Sequence, residues 1–290
     1  MRSACAGLKM ATLMPPNKTA DRAASALVEA AFITYDGQNR SCGAQAVAVE
    51  TPVNIIYGSI PFAVMMTSPA DLEDFAYGFS FTEGIINSAG EIRTISIGEV
   101  AGGLEVSVTL NGDIMQRHLG RARNLAGRTG CGVCGITDIT QMHGGYPQLE
   151  CSVPWDPAAI GTALRNVQSL QTLNEETRAV HGAAFCSWEG DVIALREDVG
   201  RHNALDKMIG AMVRSGTRAA DGFVLITSRA SYEMIDKTVR FGAPVLVAMS
   251  APTSLAIERA KNFGLTLVAV ARHDGAMNFT ATDGFTGRDT

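Results

Sequence analysis

Three apolar runs alternate with two helical patterns in the last quarter of the sequence, and this alternation limits the possible folds more than any other feature. The apolar runs cover residues 223–227, 245–249 and 265–271, and the helical patterns cover 231–241 and 253–263. A glycine follows each helical pattern, as is common after a helix end. Strand–helix–strand units with short connections form parallel sheets with right-handed crossovers. The sequence therefore predicts an α/β fold with helices covering a parallel sheet.

Polar residues follow each predicted strand of this unit. Because the carboxyl ends of parallel strands share one edge of a sheet, we expect these residues to lie together, where open α/β sheets bind ligands. Helix N-termini at that edge attract anions. Helix capping explains Ser231 and Thr253 but not the arginines beside them, so we expect a phosphate-bearing ligand. The residues are Ser228, Arg229, Ser231, Glu233, Ser250, Pro252, Thr253, Arg272, His273 and Asp274.

A second polar cluster lies between the predicted strand 191–195 and a helix whose buried face begins at Leu205. A solvated first turn with Asp198 as the helix cap would explain the cluster in structural terms. We favour a ligand site, because an acid, a base, an amide and a guanidinium crowd one turn at a strand end. The earlier His181 is as readily structural as functional. The clustered residues are Glu197, Asp198, Arg201, His202 and Asn203.

The first part of the chain predicts an α+β lobe. Its strand patterns cover residues 31–35, 44–50, 53–57, 62–67, 92–97 and 104–110. Ser68-Pro69 predicts a helix with Ser68 as its N-cap, ending at Gly84. Residues 1–27 show no periodicity and are expected to form a disordered tail. The predicted division is a tail at 1–27, an N-terminal lobe at 28–145 and a C-terminal lobe at 146–290.

The composition argues against several classes of protein. With 290 residues and 46% hydrophobic content, the chain is able to bury a substantial core. Its net charge of −5 gives no general attraction to nucleic acid or to an anionic membrane. No apolar run approaches the ~20 residues that span a bilayer, and the N-terminus lacks a secretory signal pattern. Six cysteines outside any dense framework are typical of reduced thiols. The expected location is the cytoplasm, with no nucleic-acid or membrane partner.

The strongest local motif is a cysteine pair among glycines, Thr129-Gly130-Cys131-Gly132-Val133-Cys134-Gly135. Glycine puts no side chain beside the sulfurs, so a large partner is able to approach closely. A basic run precedes the pair, and nearby cations lower the pKa of a thiol and favour the reactive thiolate. We predict an exposed, glycine-rich thiol loop that connects the two lobes. The basic residues are Arg117, His118, Arg121, Arg123 and Arg128.

Several interpretations of this motif stay open. Cys131 or Cys134 carries or exchanges sulfur as a nucleophile, or the pair binds zinc together with His143 and Cys151. A thioredoxin-type dithiol is the third possibility, and a tight turn with incidental cysteines is the fourth. The glycines also satisfy a dinucleotide-binding spacing, but the arginine-rich stretch before them is not a buried strand, which weakens that interpretation. The spacing alone does not decide among them.

Taken in order, the motifs of the chain closely resemble those of the formate dehydrogenase accessory sulfurtransferase family (FdhD). The resemblance covers residues 31–279, nearly the whole chain. So many motifs in the same order are highly specific. They are Glu50-Thr-Pro-Val-Asn-Ile, residues 61–66 and 71–86, Arg128-Thr-Gly-Cys-Gly-Val-Cys-Gly, Glu197-Asp-Val-Gly-Arg-His-Asn-Ala-Leu-Asp-Lys, Ser228-Arg-Ala-Ser-Tyr-Glu-Met and Ser250-Ala-Pro-Thr-Ser-Leu-Ala.

The resemblance implies a cytoplasmic sulfur carrier that acts as a sulfurtransferase. Such proteins accept sulfur as a persulfide from a cysteine desulfurase. They pass it to the molybdenum cofactor, Mo-bis(molybdopterin guanine dinucleotide), before its insertion into formate dehydrogenase. The persulfide-bearing cysteine of the family corresponds to Cys131, and Cys134 would assist or resolve. No permanent metal is expected.

The resemblance also implies a homodimer and a C-terminal three-layer αβα lobe similar to the cytidine-deaminase fold, which binds the guanine dinucleotide. Gly275 stands where the family commonly has an arginine. The alternative function is a chaperone that holds the cofactor, with a zinc-bound or structural cysteine pair. A nucleoside deaminase does not fit, since the sequence contains no His-x-Glu. The expected cofactor-binding residues are those of the loop that the resemblance places after the last strand, Val270, Ala271, Arg272, His273, Asp274 and Gly275, together with Ser228, Arg229 and His202.

Overall fold

A computed structural model of the chain describes residues 14, 23–33, 40–114, 148–149 and 156–281. The strands are β1 (Ser25–Ile33), β2 (Arg40–Ala48), β3 (Thr51–Tyr57), β4 (Ile60–Thr67), β5 (Ile92–Val100), β6 (Gly103–Leu110), β7 (His181–Ser187), β8 (Val192–Asp198), β9 (Gly222–Ile226), β10 (Val245–Ala248), β11 (Thr266–Arg272) and β12 (Gly275–Asn278). The helices are α1 (Leu72–Thr82), α2 (Pro157–Leu170), α3 (Thr172–Thr177), α4 (Arg201–Ser215), α5 (Tyr232–Phe241) and α6 (Ser254–Phe263). Within these described ranges, every helix is too short or too polar to cross a membrane.

A six-stranded sheet forms the centre of the C-terminal region, with strand order β12-β11-β10-β9-β7-β8. Strands β9, β10 and β11 run parallel, with Val224 opposite Leu246 and Val247 opposite Val268. The predicted strand–helix–strand unit is therefore confirmed. Strands β7 and β12 run antiparallel to their neighbours β9 and β11, and β8 pairs with β7 as a hairpin.

Helices cover both faces of this sheet. Successive residues of a strand point to opposite sides, so neighbouring residues of β9 belong to different cores. On one face, α2 packs Ile160 and Val167 into a core that includes Leu225 of β9. On the other face, the neighbouring Val224 joins a core to which α4, α5 and α6 contribute. This arrangement has three layers, as predicted. The likeness to the cytidine-deaminase fold stays a prediction.

A four-stranded sheet with strand order β4-β3-β6-β5 forms the centre of the N-terminal region. Strands β3 and β6 run parallel, and the two outer pairs are antiparallel. Helix α1 packs Phe75 and Phe79 into the core that Val53, Ile55 and Val106 form on one face of the sheet. The region is α+β, as predicted, whereas the residue bounds assigned to the lobes stay predictions.

Strands β1 and β2 form a separate antiparallel ribbon, with Ser25 opposite Ala48. The prediction of a disordered tail as far as Leu27 is therefore wrong at its end, since β1 begins at Ser25. Residues 23–26 are Ala-Ala-Ser-Ala, which shows no strand pattern by itself. Pairing with β2 extends the strand, because tertiary context outweighs local strand propensity. Residues 1–13 and 15–22 of the predicted tail lie outside the described residues.

Two glycines bring α1 and α4 into backbone contact. A methyl group at Gly78 would overlap the backbone carbonyl oxygen of Asp206, and a methyl group at Gly210 would overlap that of Asp74. No other residue type leaves room for so close an approach. Helix α1 packs on the N-terminal sheet, and α4 follows β8 of the C-terminal sheet. The contact between these helices therefore joins the two regions.

Buried ion pairs hold α4 to β8 and β8 to α1 at the same junction. Lys207 Nζ of α4 lies 2.7 Å from Asp198 Oδ2 at the end of β8, and both side chains are fully buried. Arg196 Nε of β8 lies 3.3 Å from Asp71 and 2.9 Å from Asp74, at the start of α1. A buried charge without its partner is strongly destabilising. These pairs therefore fix α1 against β8 and α4.

The predicted role of Ser68 as the N-cap of α1 is wrong. The helix begins at Leu72, after Asp71 in a left-handed conformation with φ of 54°. The Ser68 N–H donates to Asp198 Oδ2 at 2.9 Å, and its Oγ accepts a hydrogen bond from the Val199 N–H at 3.1 Å. Ser68 thus binds the end of β8 instead of its own helix, a contact that local sequence does not reveal.

Candidate functional site

The loops after β9 and β10 and the last residues of β11 lie side by side at one edge of the six-stranded sheet, the edge predicted for the polar residues that follow these strands. Ala230 and Pro252 form a parallel bridge, and the Thr253 N–H donates to Ala230 O at 3.0 Å. The Val270 N–H donates to Ser250 O at 3.2 Å. Because backbone hydrogen bonds join each loop to the next, the side chains that these loops carry share one surface, which we call the loop edge.

The predicted residues of the first two loops differ in exposure. Ser228 is only 5% exposed, and its hydroxyl donates to Arg229 O at 3.1 Å. Arg229 itself is exposed, so its guanidinium is accessible to a ligand. Thr253 caps α6 as predicted, because its Oγ1 accepts a hydrogen bond from the Ala256 N–H at 3.3 Å. Arg229 is therefore the accessible cation of these two loops.

The third segment, residues 270–275, was expected to be a loop after the last strand, and this expectation is wrong. Strand β11 continues to Arg272, the chain turns at His273 and Asp274, and β12 pairs back from Gly275. These four residues are exposed, whereas Ala271 is fully buried. The sequence did not reveal β12, because Gly-Ala-Met-Asn lacks the β-branched and aromatic residues that favour strands.

A backbone irregularity precedes this hairpin. Val270 has a φ of 54°, which is a rare conformation for a β-branched residue. The register of β11 with β12 shifts between Ala269 and Arg272. Shifts of this kind bend a strand and redirect the side chains that follow. The irregularity therefore lies directly before the exposed arginine of this hairpin.

Strand β7 brings a second group of polar residues to the loop edge. Because β7 runs antiparallel to β9, its first residue, His181, lies near the carboxyl end of β9, where the Gly182 N–H donates to Thr227 Oγ1 at 2.9 Å. His181 also pairs with Asp198 at the end of β8, and α4 begins at Arg201. The first turn of α4 therefore lies at the same edge as the three loops.

His202 and Glu233 form the electrostatic centre of this second group. His202 Nε2 lies 3.9 Å from Glu233 Oε2, and the two side chains are 16% and 14% exposed. Burial alone would raise the pKa of the Glu233 carboxyl, but His202 and Ser231 beside it outweigh that effect and lower the pKa to about 2. At 3.9 Å the His202 contact is electrostatic and not a hydrogen bond. Glu233 is therefore ionised at neutral pH.

The neighbouring His181 is neutral at the same pH. Burial of its imidazole lowers its pKa from 6.5, and the positive charge of Arg201 lowers it further. The negative charge of Asp198 acts in the opposite direction but does not cancel this shift. The edge thus combines a neutral imidazole with an ionised carboxylate.

Three buried polar atoms at this edge have no hydrogen-bond partner among the residues that the structure describes: Arg201 Nε, His202 Nε2 and Ser231 Oγ. Buried polar atoms are nearly always paired. The guanidinium Nε–H is a donor only, whereas a hydroxyl both donates and accepts. The first turns of α4 and α5 therefore offer unused hydrogen-bonding capacity. We call Arg201, His202, Ser231 and Glu233 the 202/233 cluster.

Asp198 does not cap α4 as the structural alternative for this turn required, because Gly200 is the N-cap. Asp198 Oδ1 accepts from the Gly200 N–H at 2.7 Å, and its Oδ2 pairs with Lys207 beneath the first turn of α4. Asn203 donates to Met66 O at 2.7 Å, so it too belongs to the buried junction. Sequence reasoning missed the role of Lys207, although a lysine among the apolar residues of a helix core indicates a buried partner.

Glu197 was predicted to lie with the polar turn, and this is also wrong. Its carboxylate accepts the backbone N–H groups of Leu173 and Asn174 at 2.9 Å, at the start of α3. Burial raises the pKa of the Glu197 carboxyl, although these hydrogen bonds oppose the shift. Neighbouring residues of a strand point to opposite faces, which separates Glu197 from Asp198.

The predicted catalytic pair Cys131 and Cys134 lies outside the described residues, together with the zinc candidates His143 and Cys151. Their roles stay predictions. Among the described cysteines, Cys186 is fully buried, and burial raises the pKa of its thiol, which disfavours the thiolate. In the part of the chain that the structure describes, no group of His, Cys, Asp and Glu side chains is placed to hold a metal ion.

Comparisons with known proteins agree on one family. Residues 48–285 match the FdhD/NarQ family. The chain is 48% identical over 244 residues to the sulfur carrier protein FdhD of Agrobacterium fabrum, covering 83% of this chain and 89% of the relative. It is 46% identical over 229 residues to the sulfur carrier protein FdhD of Xanthomonas euvesicatoria, covering 79% and 82%.

A crystal structure has the same fold. It is that of a formate dehydrogenase accessory protein from Desulfotalea psychrophila, with a TM-score of 0.70 and 28% sequence identity. The alignment covers 89% of this chain and 98% of that protein. Sequence and fold thus lead to the same conclusion: the chain belongs to the FdhD/NarQ family.

Proposed function

We propose that this protein is a sulfur carrier with sulfurtransferase activity in the cytoplasm. It accepts sulfur from a cysteine desulfurase as a persulfide on Cys131 and passes it to Mo-bis(molybdopterin guanine dinucleotide), before that cofactor enters formate dehydrogenase. The observation that carries the proposal is the 48% identity to a protein named sulfur carrier protein FdhD, over 83% of the chain. The crystal structure of similar fold belongs to a formate dehydrogenase accessory protein, which supports the choice of client.

The proposed chemistry uses both cysteines. The Cys131 thiolate attacks the outer sulfur of the donor persulfide, the donor S–S bond breaks, and the donor cysteine leaves as a thiolate. Delivery of that sulfur as sulfide requires two electrons. The Cys134 thiolate supplies them by attacking the inner sulfur, so that a Cys131–Cys134 disulfide forms and sulfide leaves toward the cofactor. A thiol reductant then restores the dithiol.

The loop edge is the proposed binding site for the guanine dinucleotide, which is the substrate of the transfer. Arg229 and Arg272 are exposed there, and arginine binds phosphate through two parallel hydrogen bonds. The N-termini of α5 and α6 lie beside them and add partial positive charge. The unpaired atoms of Arg201, His202 and Ser231 are consistent with a ligand that completes their hydrogen bonds. The homodimer remains part of the proposal.

Sulfur loading onto the protein and sulfur delivery to the cofactor are separable by experiment. The full chain is loaded with radiolabelled sulfur from cysteine by a desulfurase, and label is then measured on the protein and on added cofactor. Arg229→Ala with Arg272→Ala should retain label on the protein but deliver several-fold less to the cofactor, because the phosphate contacts are lost. Cys131→Ala should lose both the label on the protein and its delivery to the cofactor.

Arg218→Ala is the matched control, since this exposed arginine lies before β9, at the opposite end of the strand from the loop edge. Undiminished delivery by the double variant would reject the loop edge as the binding site. A chain that binds the cofactor but never acquires label would instead support the cofactor-holding chaperone.

A further inference from the structure

We propose that Glu233 recognises the guanine base of the dinucleotide, by accepting hydrogen bonds from the N1–H and N2–H groups of the base. The proposal rests on the proposed function and names the residue that sets its preference for guanine. In this arrangement the phosphates contact Arg229 and Arg272, and the base edge lies against the 202/233 cluster.

The position of Glu233 suits a carboxylate that reads a base. It lies in the first turn of α5 and is 14% exposed, so it is largely removed from water but still open to a ligand. Its ion-pair partner, His202 Nε2, stays 3.9 Å away, which is too long for a hydrogen bond. The carboxylate, which Ser231 also approaches, keeps lone pairs for a ligand. An ionised carboxylate accepts but never donates. Two adjacent N–H donors are therefore the ligand group that complements it.

The unpaired atoms around Glu233 extend the same pattern. Arg201 Nε is a buried donor without a hydrogen-bond partner among the described residues, whereas the Ser231 hydroxyl lies beside Glu233 and lowers the pKa of that carboxyl. Guanine carries a carbonyl acceptor, O6, on the same edge as its N1–H and N2–H donors. One edge of guanine would therefore donate to Glu233 and accept from Arg201.

Adenine does not fit this arrangement. It has an N–H₂ donor where guanine has its carbonyl, and an acceptor nitrogen where guanine has N1–H. An acceptor nitrogen against the carboxylate would leave both groups without a hydrogen, and a buried polar group left unpaired is costly. If Glu233 served only to hold His202, the identity of the base would have no effect on the affinity for the nucleotide.

Calorimetry of the full chain with free nucleoside diphosphates tests the proposal. We expect GDP to bind most tightly. IDP lacks the N2 amino group and should bind roughly tenfold more weakly, since one hydrogen bond to a charged group is lost. ADP should bind more weakly still. Equal affinities for the three nucleotides would overturn the role of Glu233 while leaving the phosphate site intact. No binding by any of them would reject the loop edge, and this role with it.

Glu233→Gln gives the sharper test, because it predicts a gain as well as a loss. GDP binding should fall roughly ten- to a hundredfold. XDP should bind the variant better than the wild type, since xanthine has a carbonyl at C2 that accepts the new amide N–H. Glu258→Gln is the matched control, an exposed carboxylate on α6 whose loss should leave the ranking unchanged. Equal weakening of GDP, ADP and XDP in a folded Glu233→Gln variant would overturn the proposal.

Discussion

At the scale of a single residue, the pKa of His181 depends on the charges around the loop edge. Its pKa is lowered from 6.5, first by burial and then by Arg201. We predict an NMR titration midpoint below 6.5 in the folded protein. Arg201→Gln should raise that midpoint, whereas Arg218→Gln at the opposite end of β9 should not. A midpoint at or above 6.5 would contradict the described placement.

The same shift has a consequence for stability. The folded-state pKa of His181 lies below the unfolded value of 6.5, so the unfolded chain binds its proton more readily. The contribution of the neutral imidazole to stability is therefore present above pH 6.5 and is lost as the pH falls through the folded-state pKa. Replacement of His181 by Gln should weaken this part of the acid sensitivity in urea denaturation measured at pH 7 and pH 5.

The Asp198–Lys207 pair is the second residue-scale prediction. Both side chains are fully buried at 2.7 Å, so Asp198→Asn leaves a buried ammonium without its counter-charge. We expect a loss of about 3–5 kcal/mol in the free energy of unfolding, measured by urea denaturation. Asp221→Asn removes the carboxylate of an exposed pair with Arg218 and should cost less than ~1 kcal/mol. Similar effects of the two changes would mean that Lys207 is not buried against Asp198.

At the scale of elements, the sequence predicted what depends on local signals. Thr253 caps α6, and this was recognisable because a capping residue acts within three residues of itself. Ser68 failed as a cap because its partner Asp198 lies 130 residues away. The start of β1 and the whole of β12 were missed for a related reason, since pairing with a neighbouring strand, and not local propensity, forms them.

The contact between α1 and α4 gives a prediction with a control of opposite sign. Gly78→Ala places a methyl group into the Asp206 carbonyl and should destabilise the protein by at least about 2 kcal/mol. Gly161→Ala, in the interior of α2, would meet only the Arg165 side chain at 3.7 Å and should stabilise the protein by up to about 1 kcal/mol. Thermal unfolding compares the two variants. A neutral Gly78→Ala would show that the helices are further apart than described.

At the scale of the molecule, the parallel sheet predicted the loop edge, because topology alone brings the loops after β9, β10 and β11 together. It could not predict that His181 joins them, since this depends on the antiparallel insertion of β7 beside β9. Glu197 and Asp198 lie on opposite sides of β8, and predicting this also required knowledge of where β8 ends. The family was identifiable from ordered motifs, which need no structure. The sulfur-carrying role of Cys131 and Cys134 rests on that membership.

Intact-mass spectrometry of the full chain, after incubation with a cysteine desulfurase and cysteine, tests the central claim most directly. We predict that the wild type and Cys134→Ala each gain about 32 Da, the mass of one sulfur atom, and that a thiol reductant removes it. Cys131→Ala should gain nothing. A full adduct on Cys131→Ala would contradict the assignment of the carrier cysteine, and no adduct on the wild type would contradict the sulfur-carrier function itself.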